Sequence, residues 1–230
     1  MSETPRQLTL ELPHRAAYSA EDFLVSDCNE AAVKAIDRWP DWPHPAMVVV
    51  GPPGSGKSHL VNVWRTRSGA SVTPAAELGD DTALQFGHGR AIAIENIDRG
   101  IADERALFHI LNTAAEQKLS VLLTSRRPPG ELSITLPDLR SRLRAVPLLS
   151  ISGPDEALLR ALLVKLFADR QLAIEPHVVS YLALRIERST EAAARTVAEV
   201  DRLALASRRK VTRALAAEVL SRFAPDETGL

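Results

Sequence analysis

Cysteine is almost missing: Cys28 stands alone among 230 residues, so no disulfide can form within the chain, and the composition suits a reducing compartment. No histidine or cysteine stands at ligand spacing from it, and it reads as a packing residue rather than a metal ligand or nucleophile. An excess of charge of either sign is missing too. With 28 Lys and Arg against 29 Asp and Glu, no overall field would hold the protein on nucleic acid or on an anionic membrane, and any DNA contact is expected to be local or borrowed from a partner. Apolar runs are short. The longest, such as residues 46–50, fall far below the roughly 20 residues a bilayer needs. No basic stretch followed by an apolar run opens the chain, so the expectation is a cytoplasmic protein that is neither secreted nor membrane-spanning. Internal repeats and low-complexity segments are absent as well.

What is present divides into three stretches: an extended arm over 1–17, an α/β unit over 18–152 and a helical lid over 153–230. In the arm, Pro5 and Pro13 bracket Gln7, Leu8, Thr9, Leu10, Glu11 and Leu12, with leucines alternating at the period of a strand. A helix is expected around 29–38 with Asn29 as its N-cap, stopped by Pro40, Pro43 and Pro45. Five apolar runs follow, at 46–50, 70–72, 91–94, 121–123 and 146–151. They are continuous rather than alternating, as in strands buried on both faces of a parallel sheet. Helices after Lys57 and over 104–117 would be the crossovers, the second with Ala106, Leu107, Ile110, Leu111 and Ala114 on one stripe. Length allows one such domain plus a small helical companion.

Past Pro154, Asp155 and Glu156, which are helix-start chemistry, the pattern becomes wholly helical. Leu159, Leu162, Leu163, Leu166 and Phe167 form one stripe. Further helices fit 175–188, 190–208 and 212–223, with Thr190 and Thr212 as candidate N-caps.

Residues Gly51, Pro52, Pro53, Gly54, Ser55, Gly56, Lys57 and Ser58 read G-x-x-x-x-G-K-S directly after an apolar strand and open a helix carrying His59 and Leu60. Glycines let the loop curl so that successive N–H groups and the positive end of the helix face a phosphate. Lys57 would neutralise terminal phosphates and Ser58 would hold Mg²⁺. A second buried strand, 91–94, ends in Glu95, the acid on the metal side, followed by Asn96. An amide at position 96 cannot take a proton from an attacking water, so hydrolysis by this chain alone is expected to be weak. Asp98, two residues further on, could stand in for the missing acid, though its position past the strand favours a loop acid.

Combined with Thr124, Ser125, Arg126 and Arg127, and with Leu136, Pro137, Asp138, Leu139, Arg140, Ser141, Arg142 and Leu143, these motifs resemble the AAA+ domain of the bacterial initiator DnaA. The pattern is most similar to the Hda family, the regulatory inactivators of DnaA. The resemblance runs along nearly the whole chain and implies an AAA+ P-loop fold: a five-stranded parallel sheet sandwiched by helices, followed by a small all-α lid. It implies ADP or ATP with Mg²⁺ as ligand, and places Tyr18, Phe23, Val25 and Asn29 beside the adenine. It implies that the arm docks on the replisome's sliding clamp, the beta subunit of DNA polymerase III, through Gln7, Leu8, Leu10 and Leu12. The bland alternative for the arm is an edge strand on the protein's own sheet.

The resemblance further implies that Arg142 serves as an arginine finger acting on ATP held by DnaA, in the cytoplasm at the replisome and nucleoid. By charge pattern alone, Arg140, Arg142 and Arg144 are surface charges. Arg208, Arg209 and Lys210 read as a solvated helix end, and with no reading helix recognised after the lid, DNA is expected only indirectly, through the clamp. Where relatives carry a nucleotide-sensing lid arginine stands Glu191, with Arg195 one turn later as a substitute. Arg126 takes a place where DnaA relatives often have an acid. Self-association stays open. Two rivals are a helicase-loader-like AAA+ ATPase, which needs strong turnover or single-stranded DNA binding, and a P-loop kinase of a small metabolite. A kinase would want a lid inserted between strands and a catalytic acid near the phosphates.

Overall fold

The structure, a computed structural model, describes residues 24–86 and 90–223. The arm with Gln7, Leu8, Leu10 and Leu12, and the adenine-side candidates Tyr18 and Phe23, lie outside the described residues. Five parallel strands form one sheet in the order β2-β3-β4-β1-β5: β1 Ala46–Val50, β2 Ser71–Pro74, β3 Ala91–Glu95, β4 Ser120–Ser125 and β5 Leu148–Ser150. The continuous apolar runs have the reason anticipated for them in the three central strands β1, β3 and β4, whereas the edge strands β2 and β5 are partly exposed. Val48, Val50, Ile92, Ile94, Val121 and Leu123 face one core, while the intervening Met47, Val49, Ala91, Ala93 and Leu122 face another, so both sides of each pleat are covered.

The first core is closed by α3 Asp80–Phe86, α4 Glu104–Gln117 and α5 Pro137–Ala145. Leu107, Ile110, Leu139 and Leu143 are fully buried there, each contributing about 1.5 to 3 kcal/mol by leaving water. Asp103 caps α4, its carboxylate accepting from the N–H groups of Arg105 and Ala106. The opposite core takes α1 Glu30–Asp37 and α2 Lys57–Ser68. Its largest member is the fully buried Trp64, which stacks on Trp42 at 5.2 Å between ring centroids and meets Trp39 edge-on at 6.3 Å.

Four helices follow β5: α6 Glu156–Asp169, α7 Pro176–Ala183, α8 Thr190–Ser207 and α9 Arg213–Phe223. They enclose a separate core of Leu159, Leu163, Phe167, Val178, Leu182, Val197, Val200 and Leu215. Leu159, Leu163 and Phe167 recur every fourth residue along α6 and bury one of its stripes.

Several boundaries differ from the sequence expectation. The helix expected over 175–188 stops at Ala183, because the N–H groups of Arg185 and Ile186 both turn back onto the Leu182 carbonyl. This brings Ser189 and Thr190 to the P-loop. Ser189, not Thr190, caps α8: its hydroxyl accepts from the Ala192 N–H at 3.0 Å. Thr190 instead donates to the Gly54 carbonyl from both its backbone N–H, at 2.7 Å, and its hydroxyl, at 2.8 Å. Asn29 stands at the N-cap of α1 but makes no cap bond. Its side chain accepts from the Ser26 N–H and donates to the Leu24 carbonyl, both at 3.0 Å, holding the segment that enters the domain. The short α3 and α5 had no sequence expectation. Each is under ten residues, too short to show a stripe.

Candidate nucleotide-binding site

The P-loop side of the site is positioned at the carboxyl ends of β1, β3 and β4, the three central strands. As β1 ends, the Gly51 N–H donates to the Ser125 carbonyl at the end of β4, at 3.1 Å. Residues 51–56 then curl and Lys57 opens α2. The curl requires glycine at two places for different reasons. Gly54 sits at φ +66°, and a methyl group there would meet the Ser189 Cβ at 2.6 Å; at Gly51 it would meet the Ile151 carbonyl oxygen at 2.3 Å.

Inside the curl, the Lys57 ammonium donates to the carbonyls of Gly51 at 2.7 Å and Pro52 at 2.8 Å. Next along α2, the Ser58 hydroxyl donates to Glu95 Oε1 at 2.6 Å across the gap to the end of β3. Two hard oxygens therefore converge beside the loop, a donor set that fits Mg²⁺. No group of three or more His, Cys, Asp or Glu side chains gathers anywhere among the described residues. An ion held by Ser58 and Glu95 would take its remaining ligands from phosphate and water, the usual habit of Mg²⁺ at phosphate sites.

Above the loop opens a cleft of about 530 Å³ between the sheet's carboxyl edge and the lid. Pro53, Gly54, Ser55, Gly56, Lys57, Ser58 and His59 line it, together with Leu24, Asn29 and Asn96. Gly51 and Pro52 do not line the cleft; their carbonyls accept from the Lys57 ammonium. Val25 is 54 % exposed, and its neighbour Leu24 takes the place in the cleft wall.

No family model matches the chain. Chromosomal replication initiator protein DnaA of Cutibacterium acnes is 24 % identical over an alignment of 234 residues, which covers 91 % of this chain and 47 % of that protein. The chain thus spans about half the length of this curated relative. The crystal structure of domain III of the Thermotoga maritima replication initiation protein DnaA superposes with a TM-score of 0.78, covering 93 % of this chain and all of that one at 17 % identity. The fold is that of the DnaA AAA+ domain. A structure of replication initiator DnaA bound to AMPPCP and single-stranded DNA aligns with a TM-score of 0.67 at 19 % identity, over 80 % of this chain and 65 % of that one.

Within this fold the lid contributes an apolar wall that sequence reading only half found. Leu158, Leu162 and Leu166 of α6 line the cleft, with Pro154 beside them, while Leu159, Leu163 and Phe167 face the lid core. The signal was a stripe wider than one core needs. A flat base can lie against such a wall. Lys165 and Asp169, also on the cleft side, pair at 3.3 Å.

The candidate lid arginine is a correction. Glu191 and Ala194 line the cleft, whereas Arg195 lies on another face of α8, its guanidinium 5.0 Å above the Phe223 ring. One residue is 100° of helix, enough to carry a side chain from the ligand side to the far side. Asn96 sits at φ +61°, a left-handed conformation that asparagine tolerates, and its N–H donates to the Thr124 hydroxyl at 3.0 Å. Asp98 is spoken for: it accepts the Arg126 N–H at 3.0 Å. Asn96 brings an amide rather than a carboxylate, while the Asp98 carboxylate acts electrostatically on Lys57. Arg99 and Arg126 are cleft-lining cations that no motif picks out as such.

Arg142 lies elsewhere. Leu139 and Leu143 bury one face of α5, so Arg140, Arg142 and Arg144 point outward. The Arg142 guanidinium rests 5.7 Å over the Phe108 ring, away from the lining of its own cleft.

Burial lowers the Lys57 pKa below its ordinary 10.5; Asp98 and Glu95 oppose this, and Arg99 adds to it. The unfolded chain therefore binds more protons at this site between the lowered value and 10.5, so this group's contribution to stability rises with pH across that window. Phosphate acts the other way, favouring the ammonium. Nucleotide binding should take up a proton in the same window and weaken as pH rises through it. Calorimetry in alkaline buffers of different ionisation enthalpy checks this: binding heats independent of the buffer would contradict it.

Proposed function

We propose that this protein is a negative regulator of DNA replication initiation, one that stimulates ATP hydrolysis by DnaA rather than turning over much ATP itself. Holding ADP or ATP with Mg²⁺, it docks on the DNA-loaded sliding clamp through Gln7, Leu10 and Leu12 and presents Arg142 to the nucleotide of a DnaA subunit. An extended strand can lay alternate leucines in an apolar cleft while a glutamine amide anchors it. The observation that carries the reading is the placement of Arg142: exposed on α5, steadied over Phe108, and outside its own nucleotide cleft. Asn96, with no carboxylate beside the metal-side acid, supports weak turnover of its own. The likeness to DnaA supports a link to DnaA and replication. No described helix is long and apolar enough to cross a membrane, and the proposed location is the cytoplasm, at the replisome and nucleoid.

The test reconstitutes ATP-bound DnaA, DNA-loaded clamp and this protein, and follows phosphate release. Adding the protein should accelerate release only when the clamp is on DNA. The Gln7→Ala variant should lose both capture by immobilised clamp and the stimulation. Acceleration that ignores the clamp, or a Gln7→Ala variant that binds it as wild type does, would remove the docking half of the proposal.

A further inference from the structure

We infer that the lid carries a second binding site, a cationic groove between α7, α8 and α9 that takes an acidic peptide segment of a protein partner bearing an apolar side chain. A cavity of about 490 Å³ opens there. It shares no lining residue with the nucleotide cleft: α8 gives Glu191 and Ala194 to the cleft, but Ala192, Arg195 and Thr196 to the groove. Tyr181 of α7, with Arg185 and Ile186 just beyond that helix, and Leu220 and Phe223 of α9 form its other sides. The groove thus needs neither nucleotide nor Arg142 for its chemistry.

Charge decides what it binds. Elsewhere in this part of the lid the arginines meet carboxylates: Arg202 and Arg222 pair with Glu199, and Arg209 and Arg222 with Glu218. Around the groove they meet rings instead. The Arg185 guanidinium lies 4.0 Å from the Tyr181 ring centroid, Arg213 lies 4.8 Å from the same centroid, and Arg195 lies 5.0 Å from that of Phe223. All three arginines are exposed, and among the described residues none has an acidic partner within ion-pair distance. A ring takes the face of a guanidinium and leaves in-plane N–H groups for a carboxylate, which the planar fork matches with parallel hydrogen bonds. Arg185 commits one donor to the Tyr181 carbonyl, at 3.3 Å. Stacking also steadies these long side chains, so less rotamer freedom is left to lose on binding.

The apolar side of the groove selects a peptide over a nucleic acid. Ile186 and Leu220 are only partly buried against the lid core, and Phe223 is 36 % exposed, so an apolar side chain laid on them leaves water together with them. A nucleobase would seek the ring faces, but Tyr181 already holds two guanidiniums and Phe223 one. Glu187 also lines the groove. It would repel the unbroken charge of a phosphate chain, whereas a peptide can set a neutral residue or a backbone N–H beside it. A segment with Asp or Glu next to a large apolar residue therefore fits where a nucleic acid does not.

Selection of a random dodecapeptide display library on the immobilised full-length protein tests this. Enriched sequences should place Asp or Glu beside Leu, Ile or Phe, and an enriched peptide made with a fluorescent label should bind with an affinity that falls as salt rises. The Arg185→Ala, Arg195→Ala double variant should weaken that peptide by about 100-fold, the loss of two charge-assisted pairs at about tenfold each, and the matching double lysine variant should recover only part. Arg202→Ala removes a guanidinium already paired with Glu199 and should change the affinity by less than about twofold. An unchanged thermal midpoint in the double alanine variant reports an intact fold. Enrichment without acids, or an enriched peptide that binds this variant as it binds wild type, would overturn the proposal. Arginine-dependent capture of labelled oligothymidylate in preference to the peptide would overturn it in favour of nucleic acid, and self-association lost in the double variant in favour of a second copy. Peptide binding that appears only in the Asp226→Asn, Glu227→Gln variant, at two acids outside the described residues, would overturn it in favour of the chain's own carboxylates.

Discussion

Lys57→Met is expected to weaken Mg-ATP binding by at least about 100-fold, the scale of one or two lost charge-assisted hydrogen bonds to phosphate. The Lys57 ammonium is the buried cation at the centre of the loop, and its present acceptors, the carbonyls of Gly51 and Pro52, are neutral. A phosphate would be the better partner. The same substitution should not destabilise the protein measured without nucleotide. Burial already penalises the charged form of this lysine, and methionine keeps most of the stem while removing that penalty. Thermal melting should therefore show a midpoint equal to or above wild type without nucleotide, and no rise on adding Mg-ATP, where wild type rises by mass action. A variant that still binds ATP within tenfold of wild type would show that the phosphates sit elsewhere.

Arg142→Ala is expected to abolish stimulation of DnaA's ATP hydrolysis, by about 10³-fold where a guanidinium supplied across an interface stabilises charge building on the transferred phosphoryl group. Capture by the clamp and binding of ATP by the variant itself should be unchanged, because Arg142 is exposed and touches neither its own cleft nor the buried face of α5. Arg142→Lys should recover little, since an ammonium lacks the planar fork. Arg140→Ala and Arg144→Ala serve as controls, two outward charges on the same helix. Phosphate release measured under single turnover separates these cases. Stimulation that survives Arg142→Ala, or that falls equally in all three variants, would reduce the residue to one member of a charged surface.

Much of the molecule was legible before any coordinates. Continuous apolar strands follow from a sheet covered on both sides, as the alternation of Ile92 and Ile94 with Ala91 and Ala93 between two cores shows. The loop at 51–58 was legible because its chemistry is contiguous: strand, glycines, lysine and serine are neighbours in the chain, and the backbone alone brings them together. Glu95 was legible as the polar end of a buried strand, and the structure sets it 2.6 Å from Ser58. The helical character of 153–223 came from stripes that short-range geometry writes into any amphipathic helix.

Other features depend on how elements settle against one another. Whether Glu191 or Arg195 faces the cleft is decided by the rotation of α8 about its axis, which packing against α6 and α9 sets and no periodicity in α8 reveals. Ser189 takes the cap and Thr190 the Gly54 carbonyl because the lid docks on the loop there, across 136 residues of chain. Asp98 and Arg126, 28 residues apart, meet because β3 and β4 are adjacent in the sheet. The amino-acid sequence determined the strands, the phosphate loop and the helical character of the lid, since each depends on neighbours along the chain. Tertiary structure alone decided which charges enter the cleft, because a side chain's partners are set by the relative placement of whole elements.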